Sequence, residues 1–357
     1  MTMRAILVTS TAAYSGKSGL SLALISTLAA RGLNVGYFKP YGAMPITVDG
    51  VLTDQDALYI NKTLSRPAPT EVVCPIVRTQ ALVESVLSHA EGNVAAAVTE
   101  SYHTCSEGRD VMVIEGPSDP FQASSLGLAA PDLAVMLDAK MLLLDRPRAN
   151  DLPDSVICES RRLGDLLRGV IFNWVHESQA EFVTGRLAPY LVSRDIPVFG
   201  VIPHDTALSS VTVHEIVDAL NGTVLSAEDQ LDEAVETFMV GAMGQDKALR
   251  FFRRKARKAV ITGGDRADVQ LAALETNTRC IILTGNMPPS SLVLSRAEEL
   301  GVPILLVDTD TLTAVEKMEH LMGHTRLHDA TKADRIREMF ERSVDIGALA
   351  RAFEIEI

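Results

Sequence analysis

Residues 4–18 read R-A-I-L-V-T-S-T-A-A-Y-S-G-K-S. The stretch starts apolar at Ala5-Ile6-Leu7-Val8-Thr9, as a buried parallel strand does. It turns polar over residues 10–17 and then enters Ser18 to Ala30. There Leu20, Leu22, Leu24, Ile25 and Leu28 recur with helical periodicity, and Gly32 follows as a helix-ending glycine. Gly16-Lys17-Ser18 therefore falls between a strand and a helix N-terminus, where a phosphate-binding loop has to be. Such a loop turns consecutive backbone N–H groups inward at phosphate oxygens, adds the charge of a lysine, and offers a hydroxyl to Mg²⁺. The usual pattern, G-x-x-x-x-G-K-[ST], has a glycine where this chain has Thr11. A working loop then requires the chain to bend elsewhere. On this reading Thr11, Ser15, Gly16, Lys17, Ser18 and Gly19 surround the phosphates of a nucleotide.

Further strand–helix alternation extends the pattern. Strands are expected at Val35–Phe38, Asp110–Ile114, Leu133–Leu137, Met141–Leu144, Gly169–Phe172 and Pro197–Ile202. Short apolar strands alternating with helices predict an α/β fold, a P-loop NTPase-type doubly wound parallel sheet. Ligands of such sheets sit at the C-terminal strand ends, which is where Lys17, Glu115 and Asn173 fall. Past residue 205 a fresh set of units begins. Ala259–Thr262, Cys280–Thr284 and Pro303–Val307 each lead into a polar turn, so a second, smaller α/β domain is expected. The boundaries read 1–205, 206–325 and a helical tail over 326–357.

The chain has 357 residues, 47% of them hydrophobic and 22% charged, with a formal net charge of −13. That composition supplies a sizeable core. The acidic balance argues against nucleic acid and membrane surfaces as partners, since both require basic patches. The apolar run Leu133–Leu144 is broken by Asp138 and Lys140 and is too short to span a bilayer. Cys74, Cys105, Cys158 and Cys280 are scattered, as free thiols of a reducing compartment are, and a cytoplasmic location is expected.

The loop V-T-S-T-A-A-Y-S-G-K-S at 8–18 resembles that of dethiobiotin synthetase, with Ser10 in that family's first glycine slot. Y-F-K-P at 37–40, T-D-Q-D-A-L at 53–58, V-I-E-G at 113–116, G-V-I-F-N at 169–173 and G-V-I-P at 200–203 match that family in order. The resemblance covers about residues 3–205 and implies ATP and Mg²⁺ as ligands. It implies Asp56 and Glu115 beside Ser18 as metal ligands, Lys39 on the substrate side with Lys17, and Asn173 and Pro203 at the adenine. Two carboxylates at separate strand ends near a Lys-Ser loop can indeed share one Mg²⁺ with phosphate oxygens and water. The loop acids of the synthetase are replaced by Ala12 and Tyr14, and its Gly-Gly pair by P-S-D-P at 117–120. Asp119 there reads as a turn residue or as a replacement carboxylate.

T-G-G-D-R-A-D-V at 262–269, T-G-N-M-P-P at 284–289 and V-D-T-D-T at 307–311 resemble the DRTGG domain. The two-domain order resembles the N-terminal half of long bacterial phosphate acetyltransferases, and no acetyl transfer is expected of it. Gly263, Gly264, Asp265 and Arg266 read as a site for a small anionic effector, or as a tight turn with Asp265 capping the next helix. The basic run 250–258 reads as a solvated helix face or an anion contact. His320, His324 and His328, four apart, form a weak metal pattern without an intervening carboxylate. Three readings follow: a homo-oligomeric ATP- and Mg²⁺-binding regulatory or sensor protein, an ATP-dependent carboxylate-activating ligase or cyclo-ligase, or a remnant site with structural roles alone, which the intact Lys17, Ser18, Asp56 and Glu115 oppose.

Overall fold

The computed structural model describes residues 3–148, 151–323 and 330–357. The chain divides into two units, residues 1–204 with 326–357, and residues 205–325. The first sheet consists of β1 (Arg4–Ser10), β2 (Val35–Phe38), β3 (Val111–Glu115), β4 (Lys140–Asp145), β5 (Leu167–Val175) and β6 (Val198–Pro203). Its order is β6-β5-β4-β1-β3-β2, with every neighbouring pair parallel. Side chains alternate along β1. Ile6 and Val8 join the core on one face, Ala5 and Leu7 the core on the other. Two buried faces require helices on both. On the Ile6 face lie α1 (Lys17–Ala29) and α2 (Gln55–Thr63). On the Leu7 face lie α3 (Val94–Ser106) and α4 (Ala130–Met136). A further helix, α5 (Asp154–Leu163), buries Val156 and Leu163.

The strand expected at Leu133–Leu137 is helix α4 instead. Pro131, in its first turn, presets a helical φ, and Leu133 and Ala134 turn inward together. Asp138, at φ +48°, breaks the run, and β4 starts at Lys140. The two segments on either side of Asp138 are equally apolar, and composition alone does not tell the helix from the strand.

The strands beside β1 are β3 and β4, reached by the chain on opposite sides. Their separation opens a crevice past the C-terminal end of β1, the switch point of a doubly wound sheet. The loop of residues 11–16 sits there.

The second unit holds α6 (Val213–Leu220), β7 (Thr223–Ser226), β8 (Thr237–Val240), β9 (Lys258–Gly263), α7 (Ala267–Leu274), β10 (Thr278–Thr284), α8 (Ser291–Leu300), β11 (Ile304–Leu306) and α9 (Thr311–Gly323). Its sheet order is β7-β11-β10-β9-β8, parallel except for β7 against β11. Helices α6 and α9 cover one face, α7 and α8 the other.

The last elements, α10 (Ala330–Ser343) and α11 (Ile346–Ala352), belong with the first unit. Phe340, Val344, Ile346, Leu349 and Phe353 share a core with Leu24, Leu28 and Phe199. Gly200 allows the approach: a Cβ there would meet the Ser343 carbonyl oxygen and lie 2.9 Å from Val344 Cα.

Candidate functional site

The loop closes without the missing glycine. Among the described residues, its left-handed positions are Tyr14 at φ +59° and Gly16 at φ +88°. Thr11 does structural work: its N–H donates to the Leu144 carbonyl at 3.0 Å and its hydroxyl to Asp145 Oδ1 at 2.6 Å. Ser15 Oγ donates to the Ala12 carbonyl at 2.7 Å. A Cβ on Gly16 would lie 2.5 Å from Asn173 Nδ2, so only glycine fits this bend. Gly16 precedes α1, Lys17 and Ser18 open it, and Gly19 lies buried within its first turn.

Lys17 is 8% exposed. Its Nζ donates to Ser10 Oγ at 2.8 Å and to the Ser118 carbonyl at 2.7 Å. Burial lowers its pKa to about 8, against the upward pull of Glu115. Ser18 Oγ lies 3.0 Å from Asp56 Oδ2 and 2.8 Å from Glu115 Oε1, so loop, α2 and β3 meet at one hydroxyl. Burial raises the Asp56 carboxyl to about 6, with Lys39 pulling the other way.

Behind this point is a buried ion network. Lys39 Nζ donates to Asp54 Oδ1 at 2.8 Å and approaches Glu115 Oε1 at 3.1 Å. Tyr37 Oη donates to Glu115 Oε2 at 2.8 Å. Asp54, fully buried, also caps α2 through the Ala57 N–H at 3.1 Å and takes the Met44 N–H at 2.9 Å. Burial draws Lys39 down, but Glu115, Asp54 and Asp56 together carry it well above the ordinary lysine value. Burial and Glu115 likewise push the Tyr37 phenol up. Asp54 and Tyr37 escaped the sequence reading, although Asp54 stands two residues before Asp56; only its position at the start of a helix could have flagged it.

Asn173 is buried against the phosphate loop. The Asn173 amide donates to the Ser15 carbonyl at 2.9 Å and so braces the loop. Pro203 is exposed. Asp119 accepts the Phe121 and Gln122 N–H groups, each at 2.9 Å, and so caps its own turn. Lys17, Ser18, Lys39, Asp56 and Glu115 do converge. Among the described residues no three His, Cys, Asp or Glu side chains alone form a metal cluster. The oxygen set of Ser18, Asp56 and Glu115 nevertheless suits Mg²⁺, which takes one or two carboxylates and completes its shell with phosphate and water.

In the second unit several polar groups of the G-G-D-R turn bond within the unit, while the buried Gln270 Oε1 beside it has no partner among the described residues. A Cβ on Gly264 would be driven into the Met287 carbonyl oxygen, so this glycine admits a neighbouring loop. Gln270 Nε2 donates to the Gly263 and Gly264 carbonyls at 2.9 and 3.0 Å. Arg266 Nη2 donates to the Met243 carbonyl at 2.8 Å, and its Nε to Asp268 Oδ1 at 3.1 Å. Asp265 does not cap α7; Arg266 holds the cap position without a side-chain bond. The basic run is not one face either, because Lys258 is fully buried. His324, His328 and the His320 side chain lie outside the described residues. No helix among the described residues is long and apolar enough to cross a membrane.

A parallel sheet with a strand–GKS–helix turn at its switch point defines a P-loop domain, followed here by a second α/β unit. The chain belongs to the family described as AAA domain, whose profile matches residues 4–212, and the DRTGG domain profile matches residues 215–321. It is 26% identical over 352 residues to a phosphate acetyltransferase of Pseudomonas putida, covering 92% of this chain and 49% of that protein. The chain spans about half the length of the curated relatives it matches. It is thus related to the N-terminal region of those proteins. Among solved structures, cobyrinic acid a,c-diamide synthase from Mycobacterium smegmatis, with bound ADP and magnesium, gives a TM-score of 0.37 at 14% identity over 57% of this chain and 87% of that one. The CBS and DRTGG domains of a Clostridium perfringens pyrophosphatase, complexed with diadenosine tetraphosphate, give 0.30 at 19% identity over 35% of this chain and 54% of that one.

Proposed function

We propose that the first unit binds ATP with Mg²⁺ and that the protein acts as a regulatory or sensor module, without acetyl transfer. The observation that carries this is the meeting of Ser18, Asp56 and Glu115 at one point beside Lys17. Three carboxylates, Asp54, Asp56 and Glu115, face two ammonium groups, Lys17 and Lys39. The excess negative charge favours a divalent cation at Ser18, Asp56 and Glu115. Magnesium bound there would offset charge on the phosphate oxygens. Lys39 supports the sensor reading over the ligase alternative. Its ammonium is held between Asp54 and Glu115, whereas activation of a carboxylate needs a cation facing the substrate. Lys17 must leave the Ser118 carbonyl to meet a phosphate, which couples the 117–122 turn to the nucleotide. The Gly263–Arg266 turn is proposed as the second unit's site for a small anionic effector, which would compete for the Arg266 guanidinium with the Met243 carbonyl and Asp268.

Thermal unfolding of the full chain with and without Mg-ATP tests the reading. Ligand at a hundred times its Kd stabilises by about 2.7 kcal/mol, which raises Tm by several degrees. Wild type should shift, and Lys17→Ala should not, while keeping its far-ultraviolet circular dichroism. An unmoved wild-type Tm at saturating Mg-ATP would reject nucleotide binding.

A further inference from the structure

A cavity of about 560 Å³ opens beside the phosphate loop, on the β4 side of β1, away from Glu115 on β3. Its volume falls in the range of small-ligand sites, roughly 300–1,000 Å³. Its wall includes Thr11, Ala12 and Ser15 of the loop, Asp145 and Arg146 past β4, and Trp174 of β5. The buried ion network faces the other flank of the loop. The cavity therefore lies where the part of a nucleotide beyond its phosphates would go.

Trp174 is the chain's single tryptophan. It is half-buried, with the Arg146 guanidinium 4.5 Å from its ring centroid. Its backbone takes φ +59°, a region that bulky residues avoid. Its indole nitrogen would lie 3.4 Å from a Cβ placed on Gly16, so the ring stands against the end of the phosphate loop. A flat aromatic surface, a guanidinium and an anion loop side by side match the parts of a nucleoside polyphosphate.

We propose that the base of the nucleotide stacks on the Trp174 indole in this cavity, with Arg146 giving up the ring to the base. This rests on the nucleotide reading above. It differs from what the resemblance implies, because neither Asn173 nor Pro203 is part of the cavity wall. Asp145, already accepting the Thr11 hydroxyl, holds the loop edge of the cavity in place.

The single tryptophan makes the test direct. Emission of the full chain is titrated with Mg-ATP and with magnesium tripolyphosphate, which has phosphates and no base. Mg-ATP should change Trp174 emission, and tripolyphosphate should bind with little change. Binding is then measured calorimetrically for Trp174→Ala and Trp174→Phe. Trp174→Ala should weaken Mg-ATP by about ten-fold or more, the scale of one lost base stack, and leave tripolyphosphate within about two-fold. Trp174→Phe should retain most of the affinity, which separates a missing ring from a misfolded chain. If Mg-ATP binds wild type with no emission change and binds Trp174→Ala as tightly, the base lies elsewhere and only the phosphate site stands. If wild type binds neither ligand, the nucleotide reading falls and this inference with it.

Discussion

Lys258 shows what the sequence hides at the scale of one residue. It ends a run of basic residues, yet it is fully buried at the start of β9, with Nζ donating to Thr276 Oγ1 at 2.9 Å and the Asn277 carbonyl at 3.0 Å. No carboxylate pairs with it among the described residues; besides these neutral oxygens its ammonium lies 5.9 Å from the Phe252 ring centroid, and burial lowers its pKa to about 8. A lysine whose folded pKa lies below its unfolded value destabilises the fold throughout the range in which both states are charged. The penalty is full below about pH 8 and fades as pH rises toward the unfolded value near 10.5. Each pKa unit is about 1.4 kcal/mol, so the charge costs on the order of 3 kcal/mol, and about 1 kcal/mol of hydrogen bonding offsets its removal. Lys258→Met should therefore stabilise the second unit by about 1–2 kcal/mol at pH 7. The gain should shrink toward zero by pH 10, as followed by Tm of both proteins across that range. A gain that grows with pH would reverse the sign and reject a charged, penalised lysine. Lys39 is the opposite case: equally hidden from solvent, but held by two carboxylates that keep it charged.

At the scale of the element, what was legible depended on whether the signal was local. The β1–loop–α1 turn declares itself, since an apolar strand, G-K-S and a helical repeat follow one another between Arg4 and Ala29. The bend that replaces the missing glycine was not legible, because Tyr14 at φ +59° is no turn residue by type. Helix α4 lies where the sequence predicts a strand at Leu133–Leu137, a segment as apolar as one; Pro131 is the helix signal beside it. Asp56 and Glu115 came through the resemblance, whereas Asp54 and Trp174 needed three dimensions: one is a cap that also holds a lysine, the other a ring aimed by an unusual φ. In the second unit Gly264 also serves loop packing, a role its sequence context does not announce. Gly264→Ala would put a methyl group into the Met287 carbonyl, forcing the β9–α7 turn away from the β10 loop. The expected cost is about 3 kcal/mol or more, the range of backbone-strain substitutions, seen as a clearly lowered unfolding transition. Gly285→Ala, strained at φ +78° but without backbone crowding, should cost less. Equal losses would remove close packing as the reason for Gly264.

At the scale of the whole molecule, the chain leaves its first unit at residue 204 and returns to it at 326. The polar composition of residues 330–343 reads as a tail, and nothing local says what its few apolar residues cover. In the fold, Phe340, Leu349 and Phe353 are at most 4% exposed, packed with Leu24 and Leu28 of α1. The same helix begins with Lys17 and Ser18. The C-terminal helices thus secure the back of the element whose front makes the phosphate site. Emptying the space of one buried Phe costs about 3–5 kcal/mol, and losing several such residues exceeds the 5–15 kcal/mol typical of a whole domain. A chain ending at residue 325 should therefore lose the cooperative unfolding of the first unit, and with it any stabilisation by Mg-ATP. Phe340→Ala should lower Tm but keep the Mg-ATP shift, because one cavity weakens the support without removing it. Heating both variants with and without nucleotide separates the cases. If the truncated chain keeps a nucleotide-dependent Tm equal to that of the full chain, α10 and α11 are dispensable cover, and the first unit is complete by the end of β6.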